Sequence, residues 1–445
     1  MEIFSAFVLG LGLFFVGMRL VGDSLRQLSS GRLRALIANS TQSGHRGRFT
    51  GLLLGLLMQS ATAVTFLLVS TVSSGYISAV SALPVIIWSN VGLTALAFVA
   101  TLRIQPIVAF VVGVAGMGVG MVRVPKIRNA AGVVLGIGLI LFGLSTMSGG
   151  ATALSDAGWF RSLFDATDGG ALIAFFVGFV VAAILQSNTG ASLLIITLAG
   201  AGLFRLPQAM MLIYGTNLGA IVLRAVLSAN LSGRSLRLVR LEDLFCVWSG
   251  VLMVTLFYIE QWTEVPLVRA AVTAATPHLQ TQLALAFLLS NLLPALTISP
   301  LLTQSWQFLS RFWPSTAAEH AAQLRYLSPS SMQDLSLAMD LLAREEARLL
   351  EQIQKLWTKA PAESKASDLQ QAVQAFTVLA AAIESYAGKL ATSQELAASD
   401  VARLFLLREE LSSHRRLQEC VLVLRETVDT LPQAPESWQV LPASF

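Results

Sequence analysis

Gln59-Ser60-Ala61-Thr62-Ala63-Val64-Thr65 returns 127 residues later as Gln186-Ser187-Asn188-Thr189-Gly190-Ala191-Ser192, each polar run set inside an apolar stretch. The offset holds without a gap around both copies. Gly51 matches Gly178, Gly75 matches Gly202, Asn90 matches Asn217, and Gly92 matches Gly219. Paired polar interruptions in lipid-length segments are the sequence mark of a carrier built from internal repeats, with its binding site at the breaks.

The surrounding composition fits a bilayer. The chain is 54% hydrophobic and 13% charged, with a mean hydropathy of +0.67, where a soluble domain carries about 25% charged residues. Lys126 is the only lysine before Lys355, and most acidic residues follow residue 330, so an apolar block precedes a polar tail. The formal charge of +4 comes mainly from arginines in short loops, which argues for membrane topology and against nucleic acid. Cys246 lies in an apolar segment and Cys420 in the polar tail, so no disulfide framework follows. Residues 3–22 lack a basic leader and a small-residue cleavage pattern and read as a retained helix.

A spanning helix needs about 20 mostly apolar residues. Seven stretches qualify: 3–22, 77–101, 105–122, 131–148, 203–228, 240–259 and 281–305. Two more, 48–73 and 171–200, carry the polar motif at their midpoint and read as re-entrant hairpins with Ser60–Thr62 and Ser187–Thr189 at the tips. With the N-terminus outside, the connections 23–50, 123–130 and 229–240 are cytoplasmic and hold eleven basic residues; the outer ones hold Arg103, Arg161 and Arg269 only. This asymmetry places the C-terminal tail in the cytoplasm. Leu9-Gly10-Leu11-Gly12-Leu13 with Gly17 recurs as Leu135-Gly136-Ile137-Gly138-Leu139 with Gly143, so each repeat opens on a similar Gly-rich helix, read as a close-packing face. Three crossings separate the two openings, which inverts the second copy. The fold class expected is therefore an all-α membrane protein, an inverted-repeat transporter with about seven transmembrane helices and two re-entrant hairpins. The transmembrane domain is 1–305, with repeats at about 3–122 and 131–259 and an extra helix at 281–305.

A half-helix that starts inside hydrocarbon leaves its first N–H groups free, and Ser, Thr and Asn are the residues that begin helices. Those N–H groups and the helix dipole suit an anion. Ser60, Ala61, Thr62, Ser187, Asn188 and Thr189 are thus the expected anion-binding residues. Thr65 and Ser192 lie one turn deeper, and Gln59 and Gln186 end the preceding half-helices, where free carbonyls suit a small cation. Ser89-Asn90-Val91-Gly92 and Thr216-Asn217-Leu218-Gly219 sit mid-helix, where Gly lets the backbone unwind into an oxygen cage for a hard monovalent cation. No carboxylate is expected near these motifs, so the site is neutral and dipole-lined. Arg224, two turns beyond Asn217, is expected to snorkel toward the inner surface.

At these residues the chain resembles the type II sodium/phosphate cotransporter family, in its bacterial branch with a PhoU-like tail. That family carries paired Gln-Ser-Ser-Ser-Ala-Thr hairpin motifs and paired Gly-Ala-Asn-Ile-Gly-Thr-Thr motifs. The resemblance covers about residues 5–305. It implies sodium-coupled phosphate transport, with phosphate at the two tips, sodium near the tips and unwound helices, no catalytic residues, and no cofactor or metal besides the coupling ion. Ala61 and Asn188 stand where the family has middle serines, and Val64 and Ala191 replace its threonine. Membrane lipid and, where copies associate, a homo-oligomer complete the expected partners. A sodium-independent phosphate exporter, a carrier of another small oxyanion, and a non-transporting sensor acting through the tail are the competing readings.

After a linker at 306–328, a helix start is expected at Ser328-Pro329 or at Ser330 with Gln333. Three apolar stripes, beginning at Leu335, Leu369 and Leu404, predict a cytoplasmic PhoU-like three-helix bundle over 329–432, turning at Pro361 and Ser393–Ser399. The third stripe runs Leu404, Leu407, Leu411, Val421, Leu424 and Val428, with His414 inside it. Glu345, Glu346 and Glu351 are expected on a solvated face, and 433–445 as a disordered tail.

Overall fold

A computed structural model describes residues 2–39, 44–73, 77–101, 105–156, 170–316, 326–327, 335–358, 366–393 and 398–430. The expected helix start at Ser328–Gln333, the turn at Pro361, the outer Arg103 and Arg161, and the 433–445 tail lie outside these residues. Among the described residues every regular element is helical. The helices are α1 (Glu2–Asn39), α2 (Gly44–Met58), α3 (Ala61–Ser73), α4 (Ala79–Gly92), α5 (Ala95–Ala100), α6 (Gln105–Met121) and α7 (Pro125–Asp156). There follow α8 (Ala171–Leu185), α9 (Asn188–Gly200), α10 (Leu206–Leu227), α11 (Gly233–Thr263), α12 (Val268–Ala275), α13 (Leu279–Ile298) and α14 (Leu302–Phe312). The tail supplies α15 (Leu335–Thr358), α16 (Ala366–Ser393) and α17 (Ala398–Thr430).

Among the described residues, six segments are long and apolar enough to cross a membrane: Ser5–Ser24, Ala79–Ala100, Pro125–Met147, Leu206–Leu227, Gly233–Thr263 and Leu279–Phe312. The seventh expected crossing, 105–122, forms α6, a helix of 17 residues at the short limit for a span. Several boundaries move outward from the apolar runs. α1 continues to Asn39 and α11 starts at Gly233, so part of the expected inner connections is helical. Beyond α13 the chain narrows into a 3-10 turn, Ser299–Leu301, because Pro300 has no N–H to continue the ladder.

The chain divides into two compact units. The first comprises 1–69, 79–231 and 236–312; the second comprises 70–78, 232–235 and 313–445. Inside the first, the opening helices of the two repeats pack on each other. A Cβ at Gly10 would meet the Gly143 carbonyl at 2.6 Å, and one at Gly17 would meet that of Gly136 at 2.6 Å. Gly12, by contrast, faces open space, and Gly138 packs on Val112 of α6. The next contacts repeat at the same 127-residue offset as the motifs. Gly51 abuts the Val85 carbonyl and Gly178 that of Leu212; Gly92 abuts the Leu52 carbonyl and Gly219 that of Phe179. The duplication is thus one of backbone packing as well as of sequence.

In the second unit Ser73 and Ser235 hydroxyls lie 2.9 Å apart and Arg234 Nε reaches Ser315 at 3.4 Å. The three tail helices share a core that includes Met339, Leu342, Phe376, Leu379, Ile383, Leu390, Leu404, Leu407 and Leu411. Leu424 departs from its expected stripe and is exposed. Glu345 and Glu346 depart in the opposite direction. They are 0% and 3% exposed, where a solvated face was expected. Glu345 is tied down by the Tyr326 N–H at 2.8 Å and by Arg348. Glu346 faces Glu410, and burial first and then that carboxylate push its pKa up to about 8. His414, one turn along from Glu410, is lowered by burial.

A carboxyl raised this way stabilises the folded tail fully only below its unfolded pKa, and the contribution is lost as pH rises toward about 8. Glu346→Gln is therefore expected to increase the tail's resistance to proteolysis at pH 9 and to leave it unchanged at pH 5. Equal protection of both proteins at pH 9 would show that the Glu346–Glu410 pair carries no such penalty.

Candidate functional site

Both motif copies break their helices at the same residue and in the same way. α2 ends at Met58 and α8 at Leu185, and the glutamine that follows each adopts the left-handed conformation, Gln59 at φ 49° and Gln186 at φ 53°. A non-glycine residue is uncommon there, and matched outliers of this kind gather at functional sites. Ser60 and Ser187 then open the next helices as N-caps. Ser60 Oγ accepts the Ala63 N–H at 3.2 Å, and Ser187 Oγ accepts the Gly190 N–H at 3.0 Å. Each hydroxyl spends a lone pair on its own helix, which leaves its O–H free to donate outward.

One cavity is lined by Gln59, Ser60, Ala61, Thr62, Gln186, Ser187, Asn188 and Thr189, together with Asn90, Leu93, Ala220, Arg224 and Cys246. The first turns of α3 and α9 therefore converge on one space, although 127 residues separate them in sequence. All six expected anion residues line it, as do Gln59, Gln186 and Asn90 from the expected cation set.

The remaining expected cation residues do not. Ser89 and Thr216 hydroxyls bond the carbonyls of Ile86 and Ile213 in their own helices, each at 2.7 Å. Ser192 pairs with Thr216 at 2.9 Å. Gly92 and Gly219 serve close helix packing. The expected unwinding occurs in one copy only. After Gly92 the helix yields to a turn at Leu93-Thr94, with Thr94 Oγ1 on the Val91 carbonyl at 2.7 Å. α10 runs unbroken through Gly219.

Asn217 joins a buried chain: Asn188 Nδ2 donates to Asn217 Oδ1 at 2.6 Å, Asn217 Nδ2 to Ser249 Oγ at 2.9 Å, and Ser249 to the Ser290 carbonyl at 2.6 Å. Three buried oxygens of the two motifs, Gln59 Oε1 and Thr65 Oγ1 of the first and Asn188 Oδ1 of the second, have no hydrogen-bond partner. An unsatisfied buried acceptor is costly and calls for an occupant such as an ion or water.

Two expectations fail here. Arg224 does not snorkel; it is 0% exposed and lines the cavity. Carboxylates do reach the motifs, from the first turns of α11. Asp243 Oδ1 accepts from Arg224 Nε at 2.7 Å, and Glu242 Oε2 accepts from Asn90 Nδ2 at 3.0 Å. Glu242 and Asp243 sit at the edge of the apolar run 240–259, where no carboxylate was expected to reach the motifs. α11 begins earlier than that run and carries them inward. Their signal was two acidic residues within the reach of a spanning segment, which is itself a mark of function.

The sequence profile of the Na+/Pi-cotransporter family matches residues 13–149 and 151–272. A Salmonella typhimurium protein, "Putative inorganic phosphate export protein YjbB", is 25% identical over 399 residues, covering 87% of this chain and 71% of its own length. The protein of the same name from Escherichia coli K12 is 26% identical over 244 residues, 54% of this chain and 44% of its own. A Bacillus subtilis protein, "Uncharacterized protein YqeW", is 24% identical over 51% of this chain and 72% of its own. No solved structure matches the chain.

Proposed function

The chain belongs to the Na+/Pi-cotransporter family, and on that footing we propose that it carries inorganic phosphate across the membrane by alternating access, coupled to sodium. It is a multi-pass membrane protein of a phosphate-transport family. The observation that carries the finer reading is the single cavity lined by both Gln-Ser breaks. Two helix N-termini and two capped serines direct N–H and O–H donors into it, which suits a tetrahedral oxyanion. α2–α3 and α8–α9, at 15, 13, 15 and 13 residues, act as hairpins that enter and leave on one side. The second is inverted relative to the first, so rocking of one repeat against the other exposes the shared site to each face in turn.

The cytoplasmic side is the one holding 70–78, 232–235 and the tail. The Ser73–Ser235 contact supports it: the arginine asymmetry assigns 229–240 to that face, and the first hairpin, entering from there, returns 70–78 to it. Sodium is bound by oxygens of both motifs. Gln59 Oε1, Thr65 Oγ1 and Asn188 Oδ1 are neutral, buried and unpartnered oxygens, the donor type a hard monovalent cation takes. Asn188, whose amide nitrogen is committed to Asn217, belongs with the cation rather than with the anion.

A second reading, phosphate export without sodium, has one observation in its favour: two relatives are named for export. Tracer phosphate uptake into proteoliposomes separates the two. An imposed sodium gradient is expected to drive accumulation that disappears when choline replaces sodium. Flux indifferent to sodium removes the coupling and leaves the export reading. Absence of flux for any oxyanion leaves a sensor.

A further inference from the structure

We propose that Arg224 is the fixed positive charge that binds the transported anion, and that Asp243 and Glu242 position it. This rests on the phosphate-transport reading and adds to it a ligand that the repeated motifs do not contain. Arg224 is 0% exposed, yet it lines the cavity between the two tips, with Nη1 3.4 Å from Thr62 Oγ1. Its Nε is anchored on Asp243 Oδ1 at 2.7 Å, which orients the guanidinium. The other oxygen of Asp243 is engaged by Arg240 at 2.8 Å, so Asp243 does not consume the charge of Arg224 alone.

Glu242 forms a looser ion pair with it. Its Oε2 accepts from Asn90 at 3.0 Å, and its Oε1 stays 3.7 Å from Arg224 Nη1, beyond hydrogen-bond length. Nη2 has a thiol for a partner, Cys246 Sγ at 3.0 Å. Within hydrogen-bond length, Nη1 and Nη2 thus meet only a hydroxyl at long range and a thiol, both weak acceptors for a guanidinium. The planar fork is pre-oriented and under-coordinated on its cavity side, the arrangement that takes two oxygens of a tetrahedral anion. An arginine in a membrane interior is costly and marks a functional position. The offset partner of Arg224 is Ala97, so this charge exists in one repeat only, opposite the first tip with its unpartnered oxygens.

A structural role as counter-charge to α11 is the competing account, and charge-neutral variants separate the two. Arg224→Gln with Glu242→Gln removes one charge of each sign and leaves Asp243 paired with Arg240. Binding of labelled inorganic phosphate to the purified full chain is measured beside size-exclusion behaviour. The expected result is a monodisperse protein whose phosphate affinity has fallen about 100-fold or more, as for the loss of two charge-assisted hydrogen bonds. A monodisperse double variant within threefold of the parent affinity would overturn the assignment.

If the variant does not fold, the thiol beside Arg224 gives a second readout. In a Cys420→Ser chain, phosphate is expected to slow labelling of Cys246 by a small methanethiosulfonate; labelling that saturating phosphate leaves unchanged overturns the proposal. A parent protein that binds no phosphate at all removes the transport reading itself, which is a different outcome from binding that survives without Arg224.

Discussion

Gly178→Ala is expected to leave little monodisperse protein, whereas Gly113→Ala is expected to be tolerated. The same added methyl meets opposite surroundings. At Gly178 a Cβ would lie 1.9 Å from the Leu212 carbonyl oxygen and 2.7 Å from its carbon, so two backbones must separate. No rotamer change relieves a backbone clash, and overpacking of this kind costs about 3 kcal/mol or more. The contact is reciprocated at Gly215, whose Cβ would lie 1.9 Å from the Phe175 carbonyl, so α8 and α10 are held close along two successive turns. At Gly113 on α6 nothing lies within 4 Å. Function falls with the packing, because α8 ends at the Gln186–Ser187 tip and α10 carries Arg224. Size-exclusion profiles and thermal midpoints of the full chain in detergent provide the check. Equal stability of the two variants would mean that the helices are not in backbone contact.

Ser60→Ala combined with Ser187→Ala is expected to raise the phosphate KM about 100-fold, and each alone about tenfold, taking about 1.4 kcal/mol per tip. Each serine does two things at once. It caps its helix through the Ala63 or Gly190 N–H, a contribution of about 1 kcal/mol, and it offers its O–H to the cavity. Alanine removes both, so the first turn frays where the anion needs ordered N–H groups. Threonine keeps the hydroxyl, and Ser60→Thr with Ser187→Thr is expected to retain most of the affinity. The measurement is tracer uptake against phosphate concentration. An unchanged KM in the double alanine variant would sink the two-tip site, and a loss confined to one serine would assign the anion to that tip alone.

The two breaks were legible to the residue because their causes are local. A glutamine that ends one helix and a serine that caps the next need only their neighbours, and Ser60 and Ser187 cap as expected. The unwinding at the Asn-Val-Gly and Asn-Leu-Gly motifs was half legible. Gly permits a break, but whether one occurs depends on the helix behind it. Gly92 is followed by a turn, whereas Gly219 lies within an unbroken helix. The cation set thinned for a similar reason. A hydroxyl in a helix can return to its own carbonyl, as at Ser89 and Thr216, and only coordinates tell which it does.

What the sequence determined by itself is the all-helical apolar block, the duplication at an offset of 127 and the two capped breaks. These follow from hydropathy, repetition and capping, which act within a few residues. The tertiary structure decided the charge of the site. Arg224 read as a snorkelling helix-end residue, no carboxylate was expected at the motifs, and Glu345 and Glu346 read as a solvated face. The rotation of α11 against α4 and α10 turns Arg224, Glu242 and Asp243 toward Asn90 and Thr62, and the packing of the tail buries Glu345 and Glu346. Long-range pairing of buried charges depends on how whole helices are rotated against each other, and no local pattern encodes that.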